Sequence, residues 1–296
     1  MDPKILKDDK IEQCFSDSDW SMEIKYSGRR IQCLIDNKKE VSFAGRYGRD
    51  ASENISDFRW KFSKIYEDIK AMHLPTGTLL DGEVYSKISP SITYQMVNSS
   101  VDDSIQLQKK YGFLTYVLFD LIYCNTASFE NYANKFRQQK LRQIIKPTMN
   151  VELSEVWTNV KDKTKIWNEI LNSTQEEKGV VFKLSDSTYQ FARSSNWLKH
   201  KQVKTYDAVI MSVKLDKNDL ATSVEVGQYK GKRLVKVANV SLSTKEQKED
   251  FACNNHTGKV IEFNATSKTG KSYKNPIAVA NCLRRDKNPE SCVWRE

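Results

Sequence analysis

The chain has 296 residues, of which 39% are hydrophobic and 10% aromatic, a composition typical of folded globular proteins and not of disordered ones. It contains no transmembrane segment or signal peptide, and its six cysteines are scattered without metal-ligand spacing, so we expect a cytoplasmic protein without zinc. A net charge of +9 favours a polyanionic partner such as nucleic acid.

The first clear pattern is an alternation of apolar and polar residues over positions 20–27, which predicts a strand. Gly28 ends this strand, and the segment 3–6 is expected to pack beside it. The apolar face consists of Trp20, Met22, Ile24 and Tyr26, and the polar face of Ser21, Glu23, Lys25 and Ser27. Lys25 is a candidate nucleophile, because burial or nearby cations lower the pKa of a lysine and free its lone pair. The alternative is an ordinary solvated strand face.

Apolar patterning predicts further elements in chain order, and the strand at 116–123 is indicated by a nearly continuous apolar run. We expect strands at 31–35, 40–43, 79–85, 116–123 and 179–183. We expect helices near 56–72, 130–145 and 165–171. Asp81 and Glu83 share one face of their strand, and Lys199 and Lys201 share a face of the segment 189–201.

The texture of the sequence changes after Lys204. Short β-rich segments alternate with polar turns at 208–213, 224–228, 234–240 and 260–263, and one helix is expected near 245–251. A region of this kind predicts a small five-stranded barrel such as an OB-fold. The sequence therefore predicts an α+β protein with domains at 1–203 and 204–296.

Six short motifs follow one another along the chain. They are Glu23-x-Lys25-x-x-Gly28-x-Arg30, Asp81-Gly82-Glu83, Phe119-Asp120, Gly179-Val180-Val181-x-Lys183, Trp197-x-Lys199-x-Lys201 and Arg284-Arg285-Asp286-Lys287. In this order, and ending in a barrel, the series resembles that of the covalent nucleotidyltransferases, most closely small ATP-dependent DNA ligases of the phage or viral type. The resemblance covers nearly the whole chain. It implies an antiparallel-sheet adenylation domain followed by an OB-fold domain.

The resemblance also implies a reaction. Lys25 would attack the α-phosphate of ATP, release pyrophosphate and hold AMP as a phosphoramidate. The AMP would pass to the 5′-phosphate at a nick, and the 3′-hydroxyl would then seal the strand. Mg²⁺ is expected, since it neutralises a triphosphate through few carboxylates. The implied partner is nicked duplex DNA, and we expect a monomer that grips the nick with its two domains and a candidate loop insertion at 86–110.

Matching positions in the family imply roles for further residues. Glu23 and the Ile24 backbone would border the adenine, and Phe119 would stack on it. Glu83 matches a carboxylate that binds ribose hydroxyls or the metal, and Glu177 is a second candidate metal ligand. The other positions that match nucleotide or phosphate contacts are Arg30, Arg46, Lys183, Arg193, Lys199, Lys201, Arg284, Asp286 and Lys287. Asp81 and Asp120 are expected to be structural.

Two positions depart from the family pattern and leave alternatives open. Ser27 stands where the family usually has Asp, and Lys178 where it usually has Glu. One alternative is an RNA ligase, or a ligase that tolerates RNA in the nick. A capping guanylyltransferase would use GTP instead of ATP, and a non-catalytic relative would only bind nicks. An NAD-dependent ligase is disfavoured, because the sequence has no four-cysteine finger.

Overall fold

A computed structural model describes residues 2–6, 8–45, 55–172, 179–269 and 272–294. These residues form two compact units, the first ending at His200 and the second beginning at Lys201. Helices and sheets both occur, so the predicted α+β class is confirmed. Within the described ranges, every helix is too short or too polar to span a bilayer. The boundary at 203/204 stays a prediction.

Two sheets build the described part of the first unit. The first sheet contains β1 (Asp2–Ile5), β2 (Trp20–Ile24), β9 (Gly179–Leu184) and β10 (Arg193–Lys201). The second contains β3 (Arg29–Ile35), β4 (Val41–Gly45), β5 (Thr78–Tyr85), β6 (Thr115–Cys124), β7 (Ala127–Ser128) and β8 (Val151–Leu153). Their orders are β1–β10–β9–β2 and β4–β3–β5–β6–β7, with β8 beside β6. The chain passes from the first sheet to the second between Ile24 and Arg29.

Helices cover these sheets and complete two hydrophobic cores. They are α1 (Asp8–Ser16), α2 (Ile55–Lys61), α3 (Ser63–Ala71), α4 (Pro90–Asn98), α5 (Val101–Tyr111), α6 (Asn134–Ile144) and α7 (Val160–Asn172). Met22 and Phe182 of the first sheet pack in one core with Ile170 of α7. Phe62 and Ile65 pack in the other core with Tyr116 of β6. The helix predicted from residue 56 is thus present, but it is divided into α2 and α3 at Phe62.

Two predictions for the first unit were wrong. The segment 3–6 was expected to pack beside the predicted strand at 20–27, but β1 pairs in parallel with β10, at the opposite edge of the sheet from β2. Only Leu6, which follows β1, shares a hydrophobic core with Met22 of β2. The segment 86–110 was expected to be a loop, but it forms α4 and α5. Serine caps begin both helices, because Ser89 Oγ accepts a hydrogen bond from Ile92 N and Ser100 Oγ accepts one from Asp103 N.

The second unit contains a closed barrel. Its strands are β11 (Lys204–Leu215), β12 (Ala221–Lys230), β13 (Arg233–Ser241), β14 (Val260–Ala265) and β17 (Ile277–Leu283), in the order β11–β12–β13–β17–β14. Beside it lie α8 (Lys245–Cys253), the hairpin of β15 (Ser267–Thr269) and β16 (Ser272–Lys274), and a 3₁₀ turn at Pro289–Ser291. The predicted β-segments and the helix are present, whereas the barrel strand β17 and the hairpin of β15 and β16 were not predicted.

Candidate active site

Lys25 lies directly after β2, where the chain leaves the first sheet. Its backbone N–H donates to Gly179 O at 2.9 Å, and its Nζ donates to Tyr26 O at 3.3 Å. The side chain is half-buried. At Gly28 a Cβ would lie only 2.1 Å from Val84 O, so only glycine allows the turn to approach β5 this closely. The glycine therefore brings the lysine turn against the strand that carries Glu83.

Glu83 lies on β5 opposite Arg30 of β3, and its carboxylate faces the lysine turn. Glu83 Oε1 accepts a hydrogen bond from Gly28 N at 3.1 Å. Burial raises the pKa of Glu83 from 4.5 to about 7, against the opposing effects of the Lys25 charge, the Gly28 N–H and Arg30. The ionised form of a carboxyl in this environment is strongly stabilised by a further cation or by a hydroxyl that donates a hydrogen bond.

Arg30 is held in one orientation by two side chains that are distant in sequence. Its Nε donates to Asp81 Oδ1 at 2.9 Å, its second guanidinium nitrogen contacts Asp81 Oδ2, and that nitrogen lies 3.1 Å from Tyr189 Oη. Burial opposes ionisation of Asp81, but Arg30 and a hydrogen bond from Tyr189 outweigh it and lower the pKa of Asp81. The guanidinium lies 5.5 Å from the centre of the Phe119 ring and 5.8 Å from that of Trp197.

Glu23 and Lys183 form an ion pair beneath this group. Lys183 Nζ lies 2.6 Å from Glu23 Oε1, and the two side chains are only 2% and 3% exposed. Because the two residues are diagonal neighbours across β2 and β9, their side chains share one face of the sheet. Lys183 Nζ also donates to Phe119 O at 3.1 Å and lies 4.2 Å from the centre of the Trp197 ring. The ion pair and this hydrogen bond fix Lys183 against β6, the strand that carries Phe119.

The aspartate after Phe119 supports the site from behind. Asp120 and Arg137 are completely buried and joined by two hydrogen bonds of 2.8 Å. Arg137 also donates to the carbonyl oxygens of Tyr132 and Ser187, at 2.7 and 3.0 Å. These contacts agree with the structural role expected for Asp120.

Three further basic candidates lie on β10, namely Arg193, Lys199 and Lys201. Lys199 is half-buried, and its carbonyl accepts a hydrogen bond from Leu6 N at 2.9 Å. Lys201 ends the strand two residues later, on the same face by alternation. Arg193 is exposed at the start of β10, about 20 Å of extended chain before Lys199. Arg46 and Glu177 lie outside the described residues.

In the second unit the terminal motif lies within a charged cluster. Arg284 Nε donates to Asp286 Oδ1 at 2.9 Å, Arg284 also contacts Glu262, and Lys287 Nζ contacts Asp207 Oδ2. The Asp286 and Glu262 hydrogen bonds raise the pKa of Arg284, and the Arg284 hydrogen bond lowers the pKa of Asp286 to about 2. Sequence reasoning missed Asp207 and Glu262, as it missed Tyr189, because none of them belongs to a motif.

Comparison with known proteins identifies the family. The sequence model of the ATP dependent DNA ligase domain matches residues 4–201, which run from within β1 to the end of β10 and include Lys25. This chain belongs to that family. The resemblance to ATP-dependent DNA ligases inferred from the motif series is thereby confirmed, and the predicted DNA ligase type of enzyme agrees with this membership.

Individual relatives of the family differ in length from this chain. A DNA ligase of Nitrosopumilus maritimus (strain SCM1) is 25% identical over 256 residues, which are 79% of this chain but 38% of that protein. This chain therefore spans well under half the length of that curated relative.

Solved ligase-family structures share the fold over nearly the whole chain. A structure from a study of Lig E DNA ligases, on DNA binding with a minimal scaffold, has a TM-score of 0.67 at 14% identity and covers 96% of this chain and 100% of that one. The structure named Pmar-Lig_PreS3 has a TM-score of 0.68 at 19% identity and covers 95% of this chain and 67% of that one. At these identities the likeness shows a common fold.

Proposed function

We propose that this chain is an ATP-dependent DNA ligase that seals nicks in duplex DNA through an adenylyl group carried on Lys25. The observation that carries the proposal is the half-buried Lys25 on a glycine turn that reaches the half-buried Glu83, inside the segment that matches the family. Phosphoryl transfer needs a positioned nucleophile and cations around the phosphates more than it needs bond-making side chains.

In the first step Lys25 Nζ forms a bond to the α-phosphorus of ATP while the bond from that phosphorus to the pyrophosphate oxygen breaks. The proton of the amine passes to solvent. Arg30, held by Asp81 and Tyr189, offers a rigid cation for the nucleotide, and the half-buried ring of Phe119 offers an adenine-stacking surface. Lys199 and Lys201 add charge for the phosphates. Stacking of this kind is worth roughly 1–3 kcal/mol per base.

We propose that Glu23 and Lys183 position the nucleotide site without touching the phosphates. Their buried ion pair holds the end of β2, and with it Lys25, against β9. Because the two charges neutralise each other, the pair adds little net field at the phosphates. The Ile24 backbone, which precedes Lys25, then borders the adenine.

Magnesium fits the carboxylate of Glu83. Among the described residues no group of three or more His, Cys, Asp or Glu forms a metal cage, and Mg²⁺ bound with a nucleotide uses one or two carboxylates together with phosphate oxygens. The burial that raises the pKa of Glu83 to about 7 also strengthens its attraction for a divalent cation. The ion would neutralise the triphosphate and the departing pyrophosphate. Glu177 stays a prediction.

The second unit is proposed to be an OB-fold domain that contacts DNA and supplies Arg284 and Lys287 to the first step. Its closed barrel supports this assignment, as does the motif series. A chain with a net charge of +9 would bind the phosphates of duplex DNA with an affinity that falls as salt rises. We propose that one chain acts on one nick.

The test is covalent labelling with α-labelled ATP or GTP and Mg²⁺, followed by addition of nicked DNA. We expect ATP to label the wild type and Lys109→Ala, an exposed lysine on α5, and Lys25→Ala to remain unlabelled. Labelled protein should then seal nicked DNA and release AMP. Labelling by GTP alone would favour a guanylyltransferase, and binding to nicks without labelling would favour a non-catalytic relative.

A parallel arm replaces DNA by RNA on either side of the nick. Ser27, which stands where the family usually has Asp, adjoins Gly28 in the turn against Glu83. If the serine relaxes sugar preference, Ser27→Asp should lower sealing of RNA-containing nicks more than sealing of DNA nicks.

A further inference from the structure

A pair of tyrosines packs beside the turn that carries Lys25. Tyr26 follows the lysine directly, and the centre of its ring lies 4.9 Å from that of Tyr85, at an interplanar angle of 48°. Tyr85 also lies against Gly28, since a Cβ on that glycine would be only 2.9 Å from the Cβ of Tyr85. Both rings are half-buried. Tyr85 therefore contacts the turn on either side of Ser27.

Strand register explains why Tyr85 faces this turn. Glu83 and Tyr85 lie two residues apart in a regular stretch of β5, so their side chains emerge on one face of the second sheet. Glu152 of β8 shares that face, because it is in register with Val117 of β6, which is itself opposite Glu83. This is also the face of Arg30, the partner of Glu83 on β3.

Glu152 fixes the direction of the Tyr85 ring. Tyr85 Oη donates to Glu152 Oε2 at 3.1 Å, and Lys87 Nζ lies 2.6 Å from the other oxygen of Glu152. A hydrogen bond to a charged acceptor is stronger than one between neutral groups. Burial, and after it the charge of Glu152, raises the pKa of Tyr85, so the phenol keeps the proton that it donates. The same two causes raise the pKa of Tyr26 to about 12. A chain of contacts thus runs from Lys87 to the lysine turn.

Two restraints then act on the turn from side chains of the second sheet. The hydrogen bond from Gly28 N to Glu83 restrains one end of the turn. The Tyr85 ring, held by its hydroxyl, restrains Tyr26, which is the neighbour of the lysine. The position of the lysine backbone therefore depends on a side chain that is anchored on β8.

We propose that Tyr85 and Glu152 are positioning residues for the adenylation of Lys25. The inference rests on the proposed function. Lys25 Nζ has to approach the α-phosphorus in line with the departing pyrophosphate, and a small displacement of a nucleophile costs much of the rate of a reaction that depends on orientation. Without the hydrogen bond the Tyr85 ring would turn more freely, and the lysine would spend less time in line.

The experiment measures single-turnover formation of the lysine–AMP bond over a range of ATP concentrations. It compares the wild type with Tyr85→Phe, which keeps the ring and loses the hydroxyl, with Glu152→Leu, which removes the acceptor, and with the double variant. We expect each single variant to lower the maximal rate about tenfold and to leave the half-saturating ATP concentration unchanged. The double variant should be no slower than either single variant, because both changes remove the same hydrogen bond.

Two further variants are controls. Glu152→Gln keeps an oxygen that accepts from Tyr85, so its maximal rate should equal that of the wild type. Tyr66→Phe is the matched control, because Tyr66 Oη lies 3.5 Å from Glu40 Oε2 and accepts a hydrogen bond from Lys70 Nζ at 3.1 Å. Its helix α3 packs in the hydrophobic core on the other face of the second sheet, so this change should leave adenylation unaltered.

Any of four results would overturn the inference. An unchanged maximal rate in Tyr85→Phe and Glu152→Leu means that the hydrogen bond does not position the lysine. Losses that multiply in the double variant mean that the two residues act separately, and a slow Glu152→Gln means that the charge and not the hydrogen bond matters. A raised half-saturating ATP concentration together with a lowered urea midpoint means that the residues only stabilise the unit.

The outcome is readable even if one variant is lost or the enzyme is inactive. If Glu152→Leu does not fold, Tyr85→Phe and Glu152→Gln carry the same test. A wild type that forms no lysine–AMP would instead refute the proposed function.

Discussion

The half-buried carboxylate of Glu83 makes the stability of the first unit depend on pH. Its pKa rises from 4.5 in the unfolded chain to about 7 in the folded one, because burial disfavours the charged form. Between these values the folded chain holds a proton that the unfolded chain has released, so the free energy of unfolding falls as pH rises. The contribution is complete below pH 4.5 and is lost as the pH passes about 7. At about 1.4 kcal/mol per pKa unit, it amounts to about 2.5 kcal/mol between pH 5 and pH 8.

Urea denaturation of the wild type and Glu83→Gln at several pH values isolates this effect. Five of the six tryptophans precede His200, so tryptophan fluorescence follows the first unit. We expect the stability of the wild type relative to the variant to fall by about 2.5 kcal/mol from pH 5 to pH 8. Glu67→Gln is the control, because it makes the same substitution at an exposed carboxylate paired with Lys64. A pH-independent difference for Glu83→Gln would refute the reasoning.

Three further predictions test how the first unit and its candidate site are held. Lys183→Met should lower the free energy of unfolding by about 3–5 kcal/mol, because it leaves Glu23 charged and buried. Adding Glu23→Gln should restore most of this stability, and a double variant whose loss equals the sum of the two single losses would contradict the prediction. Gly28→Ala should reduce lysine–AMP formation more than stability, since its Cβ would meet Val84 O; wild-type labelling would contradict this. Lys163→Met should cost about 2 kcal/mol or more in urea denaturation, because three carbonyl oxygens lose their donor; an unchanged midpoint would contradict this.

Local patterns predicted many elements of the first unit correctly. Alternation identified β2, which ends one residue before Lys25, because a half-buried strand must alternate whatever it pairs with. A nearly continuous apolar run identified β6, which carries Phe119 and is almost wholly buried. Helical spacing identified α2 and α3 together but not the break at Phe62. The helices α4 and α5 were missed because their apolar residues do not repeat clearly at helical spacing, although a serine caps the start of each helix.

The sequence by itself determined the family, through an ordered series of motifs, and determined which side chains emerge beside Lys25, since side-chain direction in a strand depends only on parity. Tertiary structure alone decided the partners of those side chains. Asp81 and Tyr189, 108 residues apart, both hold Arg30, and Glu262 meets Arg284 because β11, β14 and β17 close a barrel. The physical reason is that ion pairs and hydrogen bonds form only over a few ångströms, so the partner of a charged side chain comes from the neighbouring strand. Which strand lies there depends on the packing of the whole unit, as the placement of β1 beside β10 shows.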